Sequence, residues 1–199
     1  MPNARKGRES TKFIDRLGEK HLTNQGYWVT IIECFGALNC TIQFEGGLIV
    51  KNRRHGDIVR GKVNNPYHPS VGGVGYIGIG RFSNKEHRYI HGRWTNVVTR
   101  FQLNAAYKDV TVCEEWKCFQ NFAPWFEENW KSYMSSDWDI DKDILVKNSK
   151  TYAPENCEFV PHEINMLFTK RVKREDGLPT GVTYDKTGTK YRAKIQISK

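Results

Sequence analysis

The sequence lacks any long hydrophobic run. No stretch approaches the roughly 18 apolar residues that a membrane-spanning helix needs, and the segment from Met1 to Arg16 is polar and basic, without an apolar signal core. These absences predict a soluble cytoplasmic protein with no membrane association. With 199 residues, of which 38% are hydrophobic, the chain can bury one moderate core or two or three small ones.

Cysteine is scarce. Five cysteines at irregular spacings, an odd number, argue against a disulfide framework and favour a reducing compartment. Cys113, Cys118, Cys157 and His162 are the side chains that a structural zinc site would use. Structural sites usually pair their cysteines about two to four residues apart, whereas here the second half would be one Cys and a His. The sequence therefore predicts buried free thiols rather than structural zinc.

Positive charge is plentiful but unevenly distributed. The net charge is +9, and Lys and Arg outnumber Asp and Glu by 16 to 7 in residues 1–100 and by 9 to 3 in residues 170–199. Residues 101–169 have the opposite balance, 6 to 12. Two basic flanks around an acidic centre suit a protein that holds a polyanion and neutralises its own carboxylates with a cation. This pattern favours double-stranded DNA as the partner.

The first half of the chain predicts a basic flexible arm over residues 1–17 and a small β-rich domain over residues 18–88. Three short runs have strand character and are separated by turn residues: YWVTIIECF, CTIQFEGGLIV and VGYIGIGRF. Gly46 and Gly47 fit a tight reversal. Five glycines between Gly72 and Gly80 lack the helix and the Lys-Ser/Thr of a phosphate loop, so they indicate turns in a barrel-like or curled sheet.

Helical periodicity begins near Arg93. Apolar residues recur every three or four positions in two segments, first at Trp94, Val97, Val98 and Phe101 and then at Trp116, Phe119, Phe122, Ala123 and Phe126. Pro124 should kink or restart the second helix. These stripes are most simply core, and they open a predicted second domain over residues 89–175.

Polar residues between Asp141 and Asn165 have the spacing of a small metal-dependent nuclease motif. Asp141 comes first, Asn156 follows a polar loop, and Asn165 lies nine residues later. In an HNH-type site, an Asp from the first strand and a His or Asn from the helix hold one divalent cation, while an Asn braces the loop. The spacing predicts strand, loop, short strand and helix over 138–168, with Asp141 and Asn165 holding Mg²⁺ or another divalent cation. Alternatively, these are strand-edge, turn and cap residues.

Lys142 departs from that motif, because most HNH enzymes have at this position the His that activates water. A Lys acts as a base only when it readily loses its proton, and the carboxylates of Asp141 and Asp143 favour its charged form instead. Asp143 and His162 stay open as groups that act on water, so the base is unassigned. The catalytic candidates are Asp141, Lys142, Asp143 and Asn156.

Residues 176–199 predict a β-hairpin. The strands LPTGVTYD and KYRAKIQIS flank a turn at 186–189, and alternation places Lys190, Arg192 and Lys194 on one face. A basic strand face suits phosphate contact or insertion into the major groove. An edge hairpin that completes another sheet is the alternative.

Longer runs resemble a known group of proteins. RWTNVVTRF, YKDVTVCEEWKCFQNFAPWFEEN, DIDKDILVKNSKTYAPENCEFVPHEIN and LPTGVTYDKTGTKYRAKI are similar to segments of phage-encoded HNH endonuclease-like proteins and cover about half the chain. The Lys after the first Asp also occurs in that group. The hairpin resembles the opening of an ethylene-response-factor-type DNA-binding domain, truncated before its third strand and helix. The resemblance implies an α+β protein with a ββα-metal domain, located in the host cytoplasm.

Two functions follow as expectations. The first is a metal-dependent DNA endonuclease, and the second is a protein of the same fold that binds DNA or inhibits a host protein without cutting. Both need basic residues that contact DNA, and the sequence offers Arg53, Arg54, Arg60, Lys62, Lys190, Arg192 and Lys194.

Overall fold

A computed structural model describes residues 15–103, 107–168, 178, 182–185, 187–188 and 190–193. These residues form an α+β structure with five α-helices, one four-stranded sheet and three two-stranded sheets. Within this part of the chain, no helix combines the length and apolar character that crossing a bilayer requires. The strands are β1 (Lys20–Leu22), β2 (Trp28–Cys34), β3 (Cys40–Phe44), β4 (Ile49–Arg53), β5 (Thr111–Val112), β6 (Trp138–Asp141), β7 (Thr151–Tyr152), β8 (Glu158–Pro161), β9 (Val182–Tyr184) and β10 (Tyr191–Ala193). The helices are α1 (His55–Val59), α2 (Arg88–Val98), α3 (Arg100–Leu103), α4 (Phe119–Asn129) and α5 (His162–Phe168), with a 3-10 turn at Glu115–Lys117.

The N-terminal sheet is an open antiparallel meander in the order β1-β2-β3-β4. Val29 and Ile31 of β2 pack with Ile42 of β3 and with Ile58 of α1 in one buried cluster. The reversal predicted at Gly46–Gly47 is confirmed, because Gly47 has a φ of +86° and donates a backbone hydrogen bond to Phe44. The sheet is the β-rich unit expected from the alternating strands.

Cys34 and Cys40, at the facing ends of β2 and β3, form a disulfide. The cysteine spacing argues against a disulfide framework, but these two residues are bonded, because the register places them directly opposite each other. Cys113, Cys118 and Cys157 are free thiols.

The segment 74–82 is not the strand that its β-rich composition predicts. It makes only isolated bridges, one of them between Tyr76 and Cys118, and it packs against the second core. A Cβ on Gly75 would lie 2.8 Å from Val98, and one on Gly78 would lie 2.6 Å from Cys118. These glycines let the segment lie close to Val98 and Cys118, so the segment packs with the second core. The predicted domain boundary at residue 88 places it with the N-terminal sheet.

The second core is built mainly by α2 and α4. Trp94 of α2 and Phe119 and Phe122 of α4 are fully buried, as their helical spacing predicts. α2 begins at Arg88, several residues before the predicted start, and α4 continues through Pro124 without restarting. This aromatic core supports the strands and helix that follow it.

Residues 138–168 contain a strand, a loop, a strand and a helix, in the order predicted. β6 pairs with β8 in antiparallel register, and α5 follows β8 without an intervening loop. Within the loop, β7 pairs in parallel with β5, which anchors the loop to the second core. Near the C-terminus, β9 and β10 form the predicted hairpin. Most of the predicted arm, residues 1–14, lies outside the described residues.

Candidate metal-binding cleft

A cleft of about 990 Å³ lies against β6, α2, α5 and the loop between β6 and β7. Its lining carries both carboxylates and cations, a combination that suits a phosphate group and a metal ion together. The acidic side chains are Asp139, Asp141 and Asp143, and the basic ones are Arg93, Arg100, Lys142, Lys147 and Lys150. His162 and Asn165 border the same cleft.

Asp139 is the carboxylate at which strand and helix meet. It pairs with Val160 in the β6–β8 register, so it lies beside the end of β8, where α5 begins. Its Oδ2 accepts hydrogen bonds from Nδ1 of His162 at 2.7 Å and from Nδ2 of Asn165 at 2.9 Å. Positions 162 and 165 lie three apart on a helix and therefore share a face. One carboxylate, one imidazole and one amide thus converge.

The pKa of Asp139 reflects opposing effects. Partial burial alone would raise it, but the hydrogen bonds from Asn165 and His162, with the charges of His162 and Arg93, outweigh burial and lower the pKa below its ordinary value. Asp139 is therefore held as a carboxylate, the form that a cation requires.

Asp141, the metal ligand expected from the motif spacing, lies two residues further along the same strand face. Its Oδ1 accepts hydrogen bonds from the backbone N–H groups of Asp143, at 2.7 Å, and Ile144, at 2.9 Å. Asp141 and Asn165 border one cleft, but the carboxylate that Asn165 contacts is Asp139. The motif spacing predicts the strand face that carries these carboxylates. It does not predict that Asn165 contacts Asp139, which follows because α5 starts beside residue 139.

Lys142 is buried, with only 6% of its surface exposed. Its Nζ donates to Oδ2 of Asp143 at 2.7 Å and lies 5.9 Å from the centre of the Tyr152 ring. Of the two flanking carboxylates, Asp143 is the one that contacts this ammonium. Asp143 itself is largely exposed and is occupied by this ion pair.

Asn156 braces the loop between the two strands. Its Oδ1 accepts a hydrogen bond from the backbone N–H of Ala153 at 3.1 Å, and its Nδ2 donates to Oγ of Ser149 at 3.0 Å. The side chain is buried, and both contacts lie within the loop. Its geometry is that of a loop-bracing residue, and Asn156 does not contact the Asp139 carboxylate.

Two arginines stand on the α2 side of the cleft. Arg93 donates a hydrogen bond to the backbone carbonyl of Trp138, which joins α2 to β6. Arg100 stacks over the Tyr107 ring, and its buried Nε has no hydrogen-bond partner among the described residues.

The predicted DNA-contacting residues that the structure describes are not among those that line the cleft. Arg53, Arg54, Arg60 and Lys62 are exposed around α1, where Arg60 forms an ion pair with Asp57 at 3.0 Å. Lys190 and Arg192 are exposed on the C-terminal hairpin, and Lys194 lies outside the described residues.

Sequence reasoning missed one cluster. Glu19, His21 and His55 bring ligand-type atoms together, and among the described residues this is the only group of three or more His, Cys, Asp and Glu side chains close enough to share a metal ion. Cys113, Cys118, Cys157 and His162, the set considered for zinc, do not form such a group. No spacing signal links Glu19 to His55, since they come from a strand region and a distant helix.

Comparisons of the chain with protein-family models, curated proteins and solved structures found no match.

Proposed function

We propose that this protein is a divalent-cation-dependent DNA endonuclease of the HNH-like, ββα-metal type. The observation that carries the proposal is the convergence of Asp139, His162 and Asn165, from a strand and the helix after it, at a cleft lined by cations. The resemblance of the sequence to phage-encoded HNH endonuclease-like proteins supports the same assignment.

The side chains present fit a cation such as Mg²⁺ or Mn²⁺. Asp139 is held ionised and, with Asp141 two residues along the same strand face, offers hard oxygen ligands. Asn165 and Asp141 remain the ligands expected from the sequence, and the structure adds Asp139 as the carboxylate that Asn165 contacts. When bound, the cation would stabilise charge on the phosphodiester and its leaving oxygen.

His162 is the side chain best suited to act as the general base. The Asp139 carboxylate accepts a hydrogen bond from Nδ1 of the His162 ring. This bond fixes the orientation of the imidazole and leaves Nε2 to accept a proton from water. Lys142 is less suited, because its ammonium is buried against Asp143 and Tyr152. This proposal fills the role that the sequence left unassigned.

The other cleft residues would hold the nucleic acid and the loop. Arg93 and Arg100 line the cleft and would offer their guanidinium groups to the scissile phosphate. Asn156 keeps the loop that carries Lys147 and Lys150 in place through Ala153 and Ser149.

A second candidate function is a protein that binds DNA, or inhibits a host protein, without cutting. The observation that favours it is Lys142, which stands where the water-activating His of the motif would be and is already neutralised by Asp143. In this case the basic surfaces would retain DNA while the cleft performs no hydrolysis.

Nicking of supercoiled plasmid with Mg²⁺ or Mn²⁺ tests the proposal. The intact protein should nick, chelation should stop it, and Asp139→Asn should lower the rate by at least about 100-fold, since several kcal/mol of charge stabilisation are lost. His162→Gln should cost about 10²- to 10⁴-fold. Asp141→Asn is the comparison variant, and a loss there that exceeds the loss in Asp139→Asn would return the ligand role to Asp141.

DNA binding measured on the same samples distinguishes the two functions. An intact protein that binds duplex DNA but nicks with no divalent cation would contradict the endonuclease and favour the binding protein. A protein that neither binds nor nicks at low salt would contradict both and point to a protein partner.

A further inference from the structure

Three side chains outside the cleft meet at the edge of the N-terminal sheet. The Oε2 atom of Glu19 lies 3.1 Å from Nε2 of His21 and 2.9 Å from Nε2 of His55. The three ligand atoms all lie within 4.8 Å of one another. This group, called the Glu19 cluster, has no role in the cleft chemistry proposed above.

The backbone fixes where these side chains point. His21 pairs with Val29 across β1 and β2, and the backbone of Glu19 bonds to that of Ile31. Residues opposite each other in an antiparallel pair lie on one sheet face, so Glu19 and His21 share the face on which Val29 and Ile31 are buried. The two polar side chains therefore lie at the rim of the core rather than on the solvent face.

The third member arrives from α1. His55 is the first residue of that helix, and its backbone N–H donates to the carbonyl of Ala37 at 2.8 Å. The imidazoles of His21 and His55 and the Glu19 carboxylate are each partly exposed, at 22%, 20% and 35%. The cluster thus connects the edge strand β1 to α1 and is accessible to a small ion.

We propose that Glu19, His21 and His55 form a binding site for a first-row transition-metal dication of the Zn²⁺ class. Two imidazole nitrogens and one carboxylate oxygen are a preferred three-ligand set for zinc, with the fourth position left to water. Mg²⁺ and Ca²⁺, which prefer oxygen ligands, are disfavoured at a site with two nitrogens.

The two distances from Glu19 to the histidines fit a tetrahedral ion. Bonds of about 2.0–2.2 Å at tetrahedral angles place neighbouring ligand atoms about 3.3 Å apart. The separations of 3.1 and 2.9 Å between Glu19 and the two histidines differ from this value by a few tenths of an ångström at most. The Glu19 carboxylate would exchange the two imidazole N–H groups for the ion, and each imidazole would bind the ion through Nε2 with its one proton on Nδ1.

Calorimetric titration with ZnCl₂ tests the site in the full chain. The background carries Asp139→Asn and His162→Gln, which remove from the cleft one proposed carboxylate ligand and its one imidazole and keep the outcome separate from that of the nuclease proposal. One Zn²⁺ per chain should bind, and the bound protein should unfold at a higher temperature because the ion binds the folded state.

Single changes in the same background assign the ligands. Glu19→Gln, which keeps the shape of the side chain, and His55→Gln should each weaken zinc binding by at least about tenfold. His68→Gln is the matched control, since His68 lies in the same part of the chain and contacts Tyr27 instead; it should leave zinc affinity unchanged.

Two results would overturn the site. One is a background protein that binds no Zn²⁺, and the other is a zinc affinity that Glu19→Gln and His55→Gln both leave unchanged. If His55→Gln does not fold, Glu19→Gln decides alone, because its zinc-dependent rise in unfolding temperature should disappear. Replacement of Zn²⁺ by Co²⁺ adds a spectroscopic readout, since a tetrahedral site gives intense visible absorption that Glu19→Gln should remove.

Discussion

Glu19 and Asp139 are two carboxylates with similar immediate contacts and different surroundings. Each accepts hydrogen bonds from two side chains through one oxygen, Glu19 from two imidazoles and Asp139 from an imidazole and an amide. Asp139 opens onto a large cleft lined by Arg and Lys, whereas Glu19 lies at a sheet edge between β1 and α1. If both carboxylates bind ions, the side chains that contact each carboxylate select the ion. The region around each carboxylate then decides which molecules a bound ion can act on.

Basic surface and candidate chemistry also occupy different regions. The exposed Arg and Lys residues around α1 belong to the N-terminal sheet, and the carboxylates of the cleft belong to the second core. In a nuclease of this design, the first region would contribute affinity and the second would contribute cleavage. Variants in one region should therefore leave the property of the other intact.

The largest expected effect is on the salt dependence of DNA binding. Replacing Arg53, Arg54, Arg60 and Lys62 with Ala should reduce the slope of log K against log salt by about 0.9 per lost phosphate contact, or about 3.6 if all four make contact. Fluorescence anisotropy on a labelled duplex measures it. Lys85→Ala with Lys131→Ala removes exposed charges elsewhere as a control, and an unchanged slope in the fourfold variant would show that DNA binds another surface.

A smaller effect is expected at the loop beside the cleft. Asn156→Ala leaves the buried N–H of Ala153 without its acceptor, which should lower the free energy of unfolding by about 1–3 kcal/mol. Urea denaturation measures the change, with Asn84→Ala at an exposed loop position as the control. Equal stability of both variants would mean that the loop does not depend on Asn156.

Acid should act on both carboxylates in the same direction. The pKa of Glu19 is lowered by hydrogen bonds from His55 and His21, and that of Asp139 is lowered by Asn165 and His162 against the effect of burial. A carboxylate with a lowered folded-state pKa stabilises the protein above its unfolded pKa, about 4, and loses this contribution as pH falls through the folded value. Urea midpoints of the intact protein should therefore fall below about pH 5 more than those of Glu19→Gln or Asp139→Asn. Parallel pH profiles would contradict the lowered pKa values.

The smallest effect is expected at Lys142. Lys142→Met keeps most of the buried volume and removes an ion pair with the exposed Asp143 and a long contact with the Tyr152 ring, so stability should change by about 1 kcal/mol or less. Cleavage should also change little, since His162 is the proposed base. Lys142→His gives the sharper comparison: a marked rise in nicking would mean that position 142 can still host the base of the motif, and abolition by both changes would mean that the ammonium contacts phosphate.

The sequence predicts the individual strands and helices better than the tertiary contacts between them. Alternation around Ile42 and the helical stripe through Trp94 correspond to β3 and α2, because burial on one face leaves a period in the sequence. The segment that contains Gly75 and Gly78 has the composition of a strand. Its two glycines instead leave room for the side chains of Val98 and Cys118. Such contacts depend on residues far away in the chain, which no local period records.

The same limit applies to the candidate sites. The spacing from Asp141 to Asn165 predicts the strand, loop and helix, but which Asp meets the helix depends on where β8 ends against β6. The Glu19 cluster leaves still less trace, since Glu19 precedes β1, His21 lies in β1 and His55 comes from a separate helix. A Glu-x-His pair on an edge strand is a weak signal without the third residue.

If the endonuclease proposal is correct, DNA cleavage depends on the carboxylate of Asp139 and not on that of Glu19. Plasmid nicking in Mg²⁺ by Asp139→Asn and Glu19→Gln tests it most directly, because the two variants make the same carboxylate-to-amide change in the two regions. Asp139→Asn should lose at least about 100-fold in rate while still binding DNA, and Glu19→Gln should nick like the intact protein. Nicking that survives in Asp139→Asn, or that fails equally in both variants, would contradict it.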